Sequence, residues 1–235
     1  MMDLLQILVP VYNEEDTILV VLKKLNEQKK FVKSFSITVV DDGSTDNTSK
    51  LLRKNSHLYS NLITSSLNYG KGNAIIMGLK SIKTGYVLIQ DADLEYDPTE
   101  IPRLVSLVDQ YGADVLLTSR LSGSPMTRVH YFWHKWGNIF LTRVFNVLNN
   151  TSFTDLYSGY LIFDRKLVNE KKLKFYGWGQ QAEIMTYLVK NAANIYECPI
   201  TYRGRTYEEG KKIRASAILN VLFSIVLTRF RILFS

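Results

Sequence analysis

The sequence YVLIQDADLEYDPTEIPRLVSLVDQYGADVLL, residues 86–117, combines a strand, a helix and a second strand. Residues 86–89 and 115–117 are apolar runs of the kind that form buried parallel strands. Between them, Asp97-Pro98 precedes residues 100–111, where apolar side chains recur with helical spacing. This succession predicts one unit of an open α/β sheet.

The same alternation of strand and helix precedes this stretch. Residues 4–9 and 35–40 are apolar and rich in β-branched side chains, which predicts strands. Residues 14–28 and 72–83 have the apolar spacing of amphipathic helices. We therefore predict an open sheet with helices on both faces, whose ligands bind at the carboxyl ends of the strands.

Length and composition limit the alternatives. A chain of 235 residues, 46% apolar and 22% charged, is close to the average soluble globular protein. That composition excludes wholesale disorder, a collagen-like chain and a polytopic membrane protein. Cys198 has no second cysteine to pair with, which favours a reducing compartment such as the cytosol. The N-terminus lacks the basic segment of a signal peptide, so we predict none.

Charge is divided unevenly along the chain. Residues 1–118 carry 12 Lys and Arg against 15 Asp and Glu, a net charge of −3, whereas residues 119–235 carry 17 against 7, a net charge of +10. The second half is therefore suited to an anionic partner, such as lipid headgroups or a phosphorylated substrate. Nucleic acid is disfavoured, because the basic residues alternate with long aliphatic runs and no nucleic-acid-binding motif is present.

Acidic clusters follow three of the predicted strands, at residues 13–15, 41–42 and 91–93. In a parallel sheet these clusters meet at one edge. Asp91 and Asp93 would lie close together, and such a pair is costly unless a cation neutralises it. Oxygen ligands favour Mg²⁺ or Mn²⁺, which bridge to substrate phosphates. Each Asp could instead cap a helix or form a turn, but three acidic strand ends in succession favour a site.

Several motifs in order resemble those of glycosyltransferase family 2: VPVYNE (9–14), VDDGSTD (40–46), NYGKG (68–72) and DADLE (91–95). Later motifs are similar to those of the branch that contains dolichyl-phosphate mannose synthase and bacterial polyprenyl-phosphate glycosyltransferases. They are SR (119–120), TD (154–155), SGY (158–160), EI (183–184) and GRTYEEGKKI (204–213). The resemblance covers about residues 5–213.

The resemblance implies a single Rossmann-like GT-A nucleotide-sugar-binding domain over residues 1–213, with a mixed, mainly parallel sheet. Residues 1–118 would form the nucleotide-binding half and residues 119–213 the acceptor-binding half. Residues 214–235 would add an apolar, basic helix, so that amphipathic helical segments complete the fold.

The implied activity is inverting, metal-dependent transfer of a sugar from a UDP- or GDP-sugar to a polyprenyl phosphate. The chain would act in the cytoplasm, peripherally at the cytosolic face of the membrane. Two alternatives stay open: transfer to a saccharide hydroxyl, and a nucleotide-sugar-binding subunit without turnover. A membrane-protein partner or a homo-oligomer also stays open.

Residue roles follow from the same resemblance. The nucleotide-sugar site would comprise Pro10, Tyr12, Glu14, Asp42, Lys71, Asp91, Ala92 and Asp93. The Mg²⁺ or Mn²⁺ ligands would be Asp91, Asp93 and Glu95, with Asp93 the main one. Glu95 stands where relatives often have Gln, and Gln181 stands where many have Glu.

The acceptor phosphate would be bound by Arg120, Arg128 and Arg205, since arginine binds phosphate oxygens in a fork geometry. The catalytic set would be Asp93, Arg205, Asp155 and Glu183. Asp155 and Glu183 are the candidate bases for a hydroxyl acceptor. Their alternative roles are turn formation for Asp155 and favourable charge at a helix N-terminus for Glu183.

Two segments of the second half are candidates for membrane contact. Residues 126–148 mix aromatic and aliphatic side chains with Arg128, Lys135 and Arg143, which is typical of an amphipathic helix in a membrane interface. Residues 215–227 are apolar and flanked by Lys and Arg, but shorter than the ~20 residues that span a bilayer. They could lie on a membrane or pack on the domain itself.

Overall fold

The computed structural model describes residues 4–32, 34–123, 132–204 and 217–234. Within these ranges the chain forms seven strands: β1 (Leu5–Val11), β2 (Phe35–Asp41), β3 (Asn61–Thr64), β4 (Tyr86–Ile89), β5 (Val115–Ser119), β6 (Leu161–Asp164) and β7 (Ile195–Pro199). It also forms seven α-helices: α1 (Ile18–Glu27), α2 (Thr48–Lys54), α3 (Lys71–Ser81), α4 (Ile101–Tyr111), α5 (Phe132–Asn149), α6 (Gln180–Asn191) and α7 (Ala217–Leu233).

The strands form one sheet in the order β3-β2-β1-β4-β6-β5-β7. All neighbouring pairs are parallel except those of β6, which is antiparallel to both β4 and β5. The predicted α/β fold with a mixed, mainly parallel sheet and a helical C-terminal segment is therefore confirmed.

Two hydrophobic cores cover the two faces of this sheet. In β1, Ile7 and Val9 belong to one core and Leu8 to the other, because successive strand residues point to opposite faces. Helices α1, α2 and α4 contribute to the first core, and α3, α5, α6 and α7 to the second. Gly78 lets α3 pack closely on β1, because a Cβ there would overlap the side chain of Leu8.

The central strands bring the predicted acidic clusters to one edge. β1 and β2 are parallel and in register to their ends, with Val11 opposite Asp41. β4 runs parallel to β1 on its other side, with Ile89 opposite Leu8. The loops that follow β1, β2 and β4 therefore leave the sheet at the same edge.

β3, β6 and β7 lie outside the strand ranges predicted from the sequence. β6 belongs to the second half of the chain but lies between β4 and β5, which both begin in the first half. The two predicted halves therefore share one sheet. The proposed boundaries after residues 118 and 213 stay a prediction.

The two segments predicted to contact a membrane are helical where the structure describes them. They correspond to α5 and α7, and Arg128 lies outside the described residues. No helix among the described residues is long and apolar enough to cross a membrane.

Candidate active site

A cleft of about 450 Å³ opens where β1, β2 and β4 end. All eight residues predicted to bind the nucleotide sugar line it, and so do Glu95 and Arg120. The lining also includes residues from the second half of the chain: Tyr157, Gly159, Gly177, Trp178, Gln180, Gln181 and Tyr202.

The loops after β1 and β2 are joined by hydrogen bonds. Asn13 has a positive φ of 52°, a conformation that Asn tolerates better than most residues. Its backbone N–H donates to Ser44 Oγ at 3.1 Å, and its side-chain oxygen accepts from Thr45 N at 2.8 Å. Glu14 N donates to Thr48 Oγ1 at 3.0 Å. These bonds fix the loop segment that carries Tyr12 and Glu14 into the cleft.

Asp42 is a buried carboxylate in the cleft wall, and only 2% of its surface is exposed. Its Oδ2 accepts hydrogen bonds from the backbone N–H groups of Tyr69 at 3.1 Å and Gly70 at 2.7 Å. Its Oδ1 is also buried and has no hydrogen-bond partner within the described part of the chain. A buried polar atom without a partner is costly, so this oxygen fits a hydrogen-bond donor of a bound ligand.

Asp91 and Asp93 lie on either side of Ala92 in the cleft. Lys71 Nζ is 2.5 Å from Asp91 Oδ1, so the first residue of α3 supplies a positive charge to the acidic pair. Asp93 Oδ1 accepts the backbone N–H of Glu95 at 3.1 Å, and Leu94 between them has a φ of 61°. A left-handed Leu is strained, and such strain concentrates at functional sites.

The predicted set of three metal ligands is not assembled. No three His, Cys, Asp or Glu side chains stand close enough to hold a metal ion within the described ranges. Glu95 instead accepts a hydrogen bond from the Tyr202 hydroxyl at 2.8 Å. Asp91 and Asp93 alone still fit Mg²⁺ or Mn²⁺, because these ions are commonly held by one or two carboxylates together with substrate phosphates and water.

Asp155, predicted as a base, is fully buried and bound to Arg120. Arg120 Nε and Nη2 lie 2.7 and 2.8 Å from its two oxygens, and Asn138 Nδ2 lies 2.6 Å from Oδ1. Burial alone would raise the pKa of Asp155, but the charge and hydrogen bonds of Arg120 outweigh it and keep the pKa below its usual value. Asp155 does not line the cleft, and an ionised carboxylate paired in this way does not fit a base. It fits a role in orienting Arg120.

Glu183, the second predicted base, is fully buried and also absent from the cleft wall. Its carboxylate accepts hydrogen bonds from the backbone N–H groups of Lys174 at 2.9 Å and Phe175 at 3.0 Å. Burial raises the pKa of Glu183, although these donors and Arg231 partly oppose the shift. This environment does not fit a base that contacts the acceptor.

Gln181, which stands where many relatives have Glu, also lines the cleft. Its amide donates to the backbone oxygens of Leu156 at 3.1 Å and Ser158 at 2.7 Å.

Three aromatic residues that line the cleft were not predicted: Tyr157, Trp178 and Tyr202. Isolated aromatic residues carry no spacing signal in the sequence. Arg128 and Arg205 lie outside the described residues, so their roles stay predictions.

Comparison with curated proteins finds relatives that transfer sugars. Undecaprenyl-phosphate 4-deoxy-4-formamido-L-arabinose transferase from Edwardsiella ictaluri (strain 93-146) is 39% identical over 118 residues, 48% of this chain and 36% of that protein. The protein of the same name from Proteus mirabilis (strain HI4320) is 35% identical over 118 residues, with the same coverage. The chain thus spans little more than a third of the length of these relatives.

Comparison with solved structures identifies the fold as GT-A. Glucosyl-3-phosphoglycerate synthase from Mycobacterium tuberculosis, in complex with Mn²⁺, UDP-glucose and phosphoglyceric acid, has a TM-score of 0.70 at 18% identity, covering 96% of this chain and 79% of that chain. TarS from S. aureus, in complex with UDP-GlcNAc, has a TM-score of 0.63 at 22% identity, covering 95% and 66%. The profile of glycosyl transferase family 2 matches residues 6–170. With the ordered motifs, the GT-A sheet and a match over most of its length, this chain belongs to glycosyl transferase family 2.

Proposed function

We propose that this chain is an inverting, metal-dependent glycosyltransferase that moves a sugar from a nucleoside diphosphate sugar to a polyprenyl phosphate. The observation that carries the proposal is the shared cleft, where all eight predicted donor residues meet around Asp42, Asp91 and Asp93. The names of the curated relatives support the acceptor class. UDP is the favoured nucleotide, because structural neighbours bind UDP-sugars.

The donor side of the cleft suits a diphosphate leaving group. Breaking the bond between sugar and diphosphate builds negative charge on the leaving phosphate, which must be stabilised. Asp91 and Asp93 would hold Mg²⁺ or Mn²⁺, and the ion would supply most of that stabilisation when bound. Lys71, beside Asp91, adds a positive charge at the same edge.

The acceptor side favours a phosphate over a hydroxyl group. A hydroxyl acceptor must lose a proton to a nearby base, whereas a phosphate is already anionic. Both candidate bases, Asp155 and Glu183, are buried, absent from the cleft lining and already bound to other groups of the chain. Arg120 lines the cleft, and Asp155 holds it through Nε and Nη2, so that Nη1 would be the atom that donates to a phosphate.

A membrane surface is the proposed location of the acceptor, and α7 supports this part of the proposal. The outer face of α7 is exposed and apolar at helical spacing, whereas Ser224 and Thr228 are buried on its inner side. This outer face consists of Leu219, Phe223, Val226, Phe230 and Leu233.

Charge complementarity favours an anionic bilayer as the partner of this face. Neither α5 nor the adjoining α7 contains Asp or Glu. Together they carry four basic residues, Lys135, Arg143, Arg229 and Arg231, of which Arg231 also lies 3.8 Å from Glu183. An apolar helix face with basic neighbours binds the interface of an anionic membrane, where each Lys or Arg near the surface contributes about 1 kcal/mol. We propose peripheral contact with the cytosolic leaflet through this face.

The activity test uses radiolabelled UDP- and GDP-sugars with undecaprenyl phosphate, with Mn²⁺ or with a chelator. We expect lipid-extractable product from a UDP-sugar with metal, and loss of product in Asp93→Asn. Asp164→Asn is the matched control, because Asp164 lies opposite Tyr86, at the other end of the strands. Full activity of Asp93→Asn would remove the metal role. A water-soluble saccharide product would favour the hydroxyl acceptor, and nucleotide binding without turnover would favour a binding subunit.

The membrane part has its own test. We expect the chain to sediment with vesicles that contain phosphatidylglycerol and much less with pure phosphatidylcholine vesicles. Phe230→Asp should reduce this binding, whereas Phe31→Asp should not, since Phe31 is also exposed but follows α1 on the other sheet face. Equal binding by the two variants would contradict the assignment to α7.

A further inference from the structure

Glu183 is a buried carboxylate that has no place in the proposed chemistry. It lies in the first turn of α6, but its oxygens reach outward to the segment that precedes the helix. Oε2 accepts the backbone N–H groups of Lys174 at 2.9 Å and Phe175 at 3.0 Å, and Oε1 is 3.0 Å from Lys174 N. A charged acceptor with two backbone donors is a strong attachment, so Glu183 holds residues 174–175 in place.

The segment held by Glu183 packs against the start of α3. The carbonyl oxygen of Tyr176 accepts the backbone N–H of Asn73 at 3.2 Å. A Cβ at Gly72 would lie 2.5 Å from that same oxygen, so the two backbones are in direct contact. The first turn of α3 carries Lys71, whose ammonium group pairs with Asp91.

The next residues of this segment form part of the cleft wall. Gly177 and Trp178 both line the cleft, and the Tyr157 hydroxyl donates to the carbonyl oxygen of Trp178 at 3.2 Å. Residues 174–178, which we call the cleft loop, therefore join a buried carboxylate at one end to the ligand-facing surface at the other.

Helix α7 supports the cleft loop from outside. Arg231 Nη1 is 3.8 Å from Glu183 Oε1, and the Arg231 guanidinium lies 5.9 Å from the centre of the Phe175 ring. Ser224 Oγ donates to the carbonyl oxygen of Gly179 at 3.1 Å. The helix proposed to contact the membrane is thus packed directly against the base of the cleft loop.

We propose that Glu183 is a positioning residue that fixes the cleft loop against the first turn of α3 and thereby sets the cleft wall for the donor. Its effect on turnover rests on the proposed function, whereas its effect on the loop and on nucleotide binding does not. Small displacements at such a wall matter, because a shift of about 1 Å in a binding site can lower a rate by roughly 100-fold.

Conservative replacement separates this role from that of a base. Gln at position 183 keeps one oxygen that can accept both N–H groups at the place of Oε2, and only the second contact of Lys174 N, with Oε1, is lost to its NH₂ group. Unlike Glu, Gln cannot take up a proton. Ala removes the acceptor altogether. A positioning role therefore predicts that E183Q retains most function and E183A does not, whereas a base role predicts that both lose turnover equally.

The experiment combines amide hydrogen exchange, UDP–Mn²⁺ binding and steady-state kinetics. We expect E183A to speed exchange in peptides covering residues 172–179 and to weaken UDP binding and kcat/KM by about 10- to 100-fold. E183Q should stay within about threefold of the wild type, with an unchanged pH profile, since the attachment survives. The control is Asp114→Ala, because Asp114 Oδ2 holds the backbone N–H groups of Ala193 and Asn194 at the far end of β5. It should leave the cleft loop and UDP binding unchanged.

A second variant keeps the test decisive if E183A does not fold. Gly72→Ala pushes on the Tyr176 carbonyl from the opposite side and should also speed exchange in the cleft loop and weaken UDP binding. Unchanged exchange at residues 172–179 in E183A would overturn the proposal. Equal loss of turnover in E183Q and E183A, with the loop unaltered, would do so too and would support a base. Absence of transfer by the wild type would refute only the proposed function.

Discussion

The unpartnered oxygen of Asp42 leads to a quantitative prediction for donor binding. Asn at this position has nearly the same shape, and its single oxygen can still accept the N–H groups of Tyr69 and Gly70. The change therefore replaces the buried Oδ1 with an NH₂ group. A donor group of the nucleotide, either a base N–H or a ribose hydroxyl, would then face another donor.

The size of the effect follows from the hydrogen bond that is lost. A hydrogen bond to a charged group contributes about 1.5–3 kcal/mol net. Because about 1.4 kcal/mol corresponds to a tenfold change in affinity, Asp42→Asn should raise the Kd for UDP roughly 10- to 150-fold. The folding free energy should change less, since both backbone donors keep an acceptor.

The assay is isothermal titration of UDP in the presence of Mn²⁺, with Asp41→Asn as the control. Asp41 is equally buried and is bound to Ser44 N and the Ser49 hydroxyl, but it does not line the cleft. We expect its replacement to change the Kd much less, because Asp41 does not line the cleft and Asn keeps an oxygen that can accept the hydrogen bond from Ser44 N. Using 3-methyl-UDP and 2′-deoxy-UDP identifies the donor, because the analogue without it should bind wild type and Asp42→Asn alike. Equal UDP binding by wild type and Asp42→Asn would refute the reasoning.

Two further predictions concern the acidic pair and Asp155. Gly159→Ala would put a Cβ 2.5 Å from the Tyr96 ring and 3.0 Å from Asp91 Oδ2, so we expect Mn²⁺-dependent UDP binding to weaken about tenfold, whereas Gly137→Ala should not alter it. Asp155→Asn should destabilise the fold by about 3–5 kcal/mol at pH 7, because it breaks a buried ion pair. The pKa of Asp155 is lowered on folding, so its contribution is fully present above the unfolded value of 3.8 and is lost as pH falls below it. In urea unfolding, the difference between wild type and Asp155→Asn should therefore shrink from pH 5 to pH 3, and a constant difference would contradict the ion-pair assignment.

The residues of the donor site could be predicted because each of them follows a recognisable strand closely in the sequence. Asp42, Asp91 and Asp93 each follow a strand within a few residues, and parallel strands of one sheet place their ends at one edge. The position of β6 was not predictable in the same way. It enters between β4 and β5 in the opposite direction, and its pairing joins residues far apart in sequence.

The roles of the two predicted bases could not be read from the sequence for a related reason, and their assignment as bases stays a prediction that their surroundings do not favour. The sequence reveals that residues 155 and 183 are acidic, but their roles depend on the groups that surround them. Asp155 is bound to Arg120, which is 35 residues away, and Glu183 is bound to backbone N–H groups that no side-chain pattern reports. A sequence motif identifies the acidic residue, but only its tertiary contacts distinguish a catalytic base from a carboxylate that holds other groups in place.

The sequence left open whether residues 215–227 pack on the domain or contact a membrane, and α7 carries apolar side chains on two sides. Val221 and Ile225 belong to the core, so the helix packs on the domain, while Phe223 and Phe230 remain exposed on its outer face. Packing on the domain and contact with a membrane are therefore compatible roles of one helix. An α-helix with side chains is about 10 Å in diameter, so a lipid surface on the outer face of α7 would lie about one helix diameter from the residues that α7 contacts next to the cleft. That geometry would bring a membrane-bound phosphate near the cleft wall that carries Trp178, the same wall whose position we attribute to Glu183.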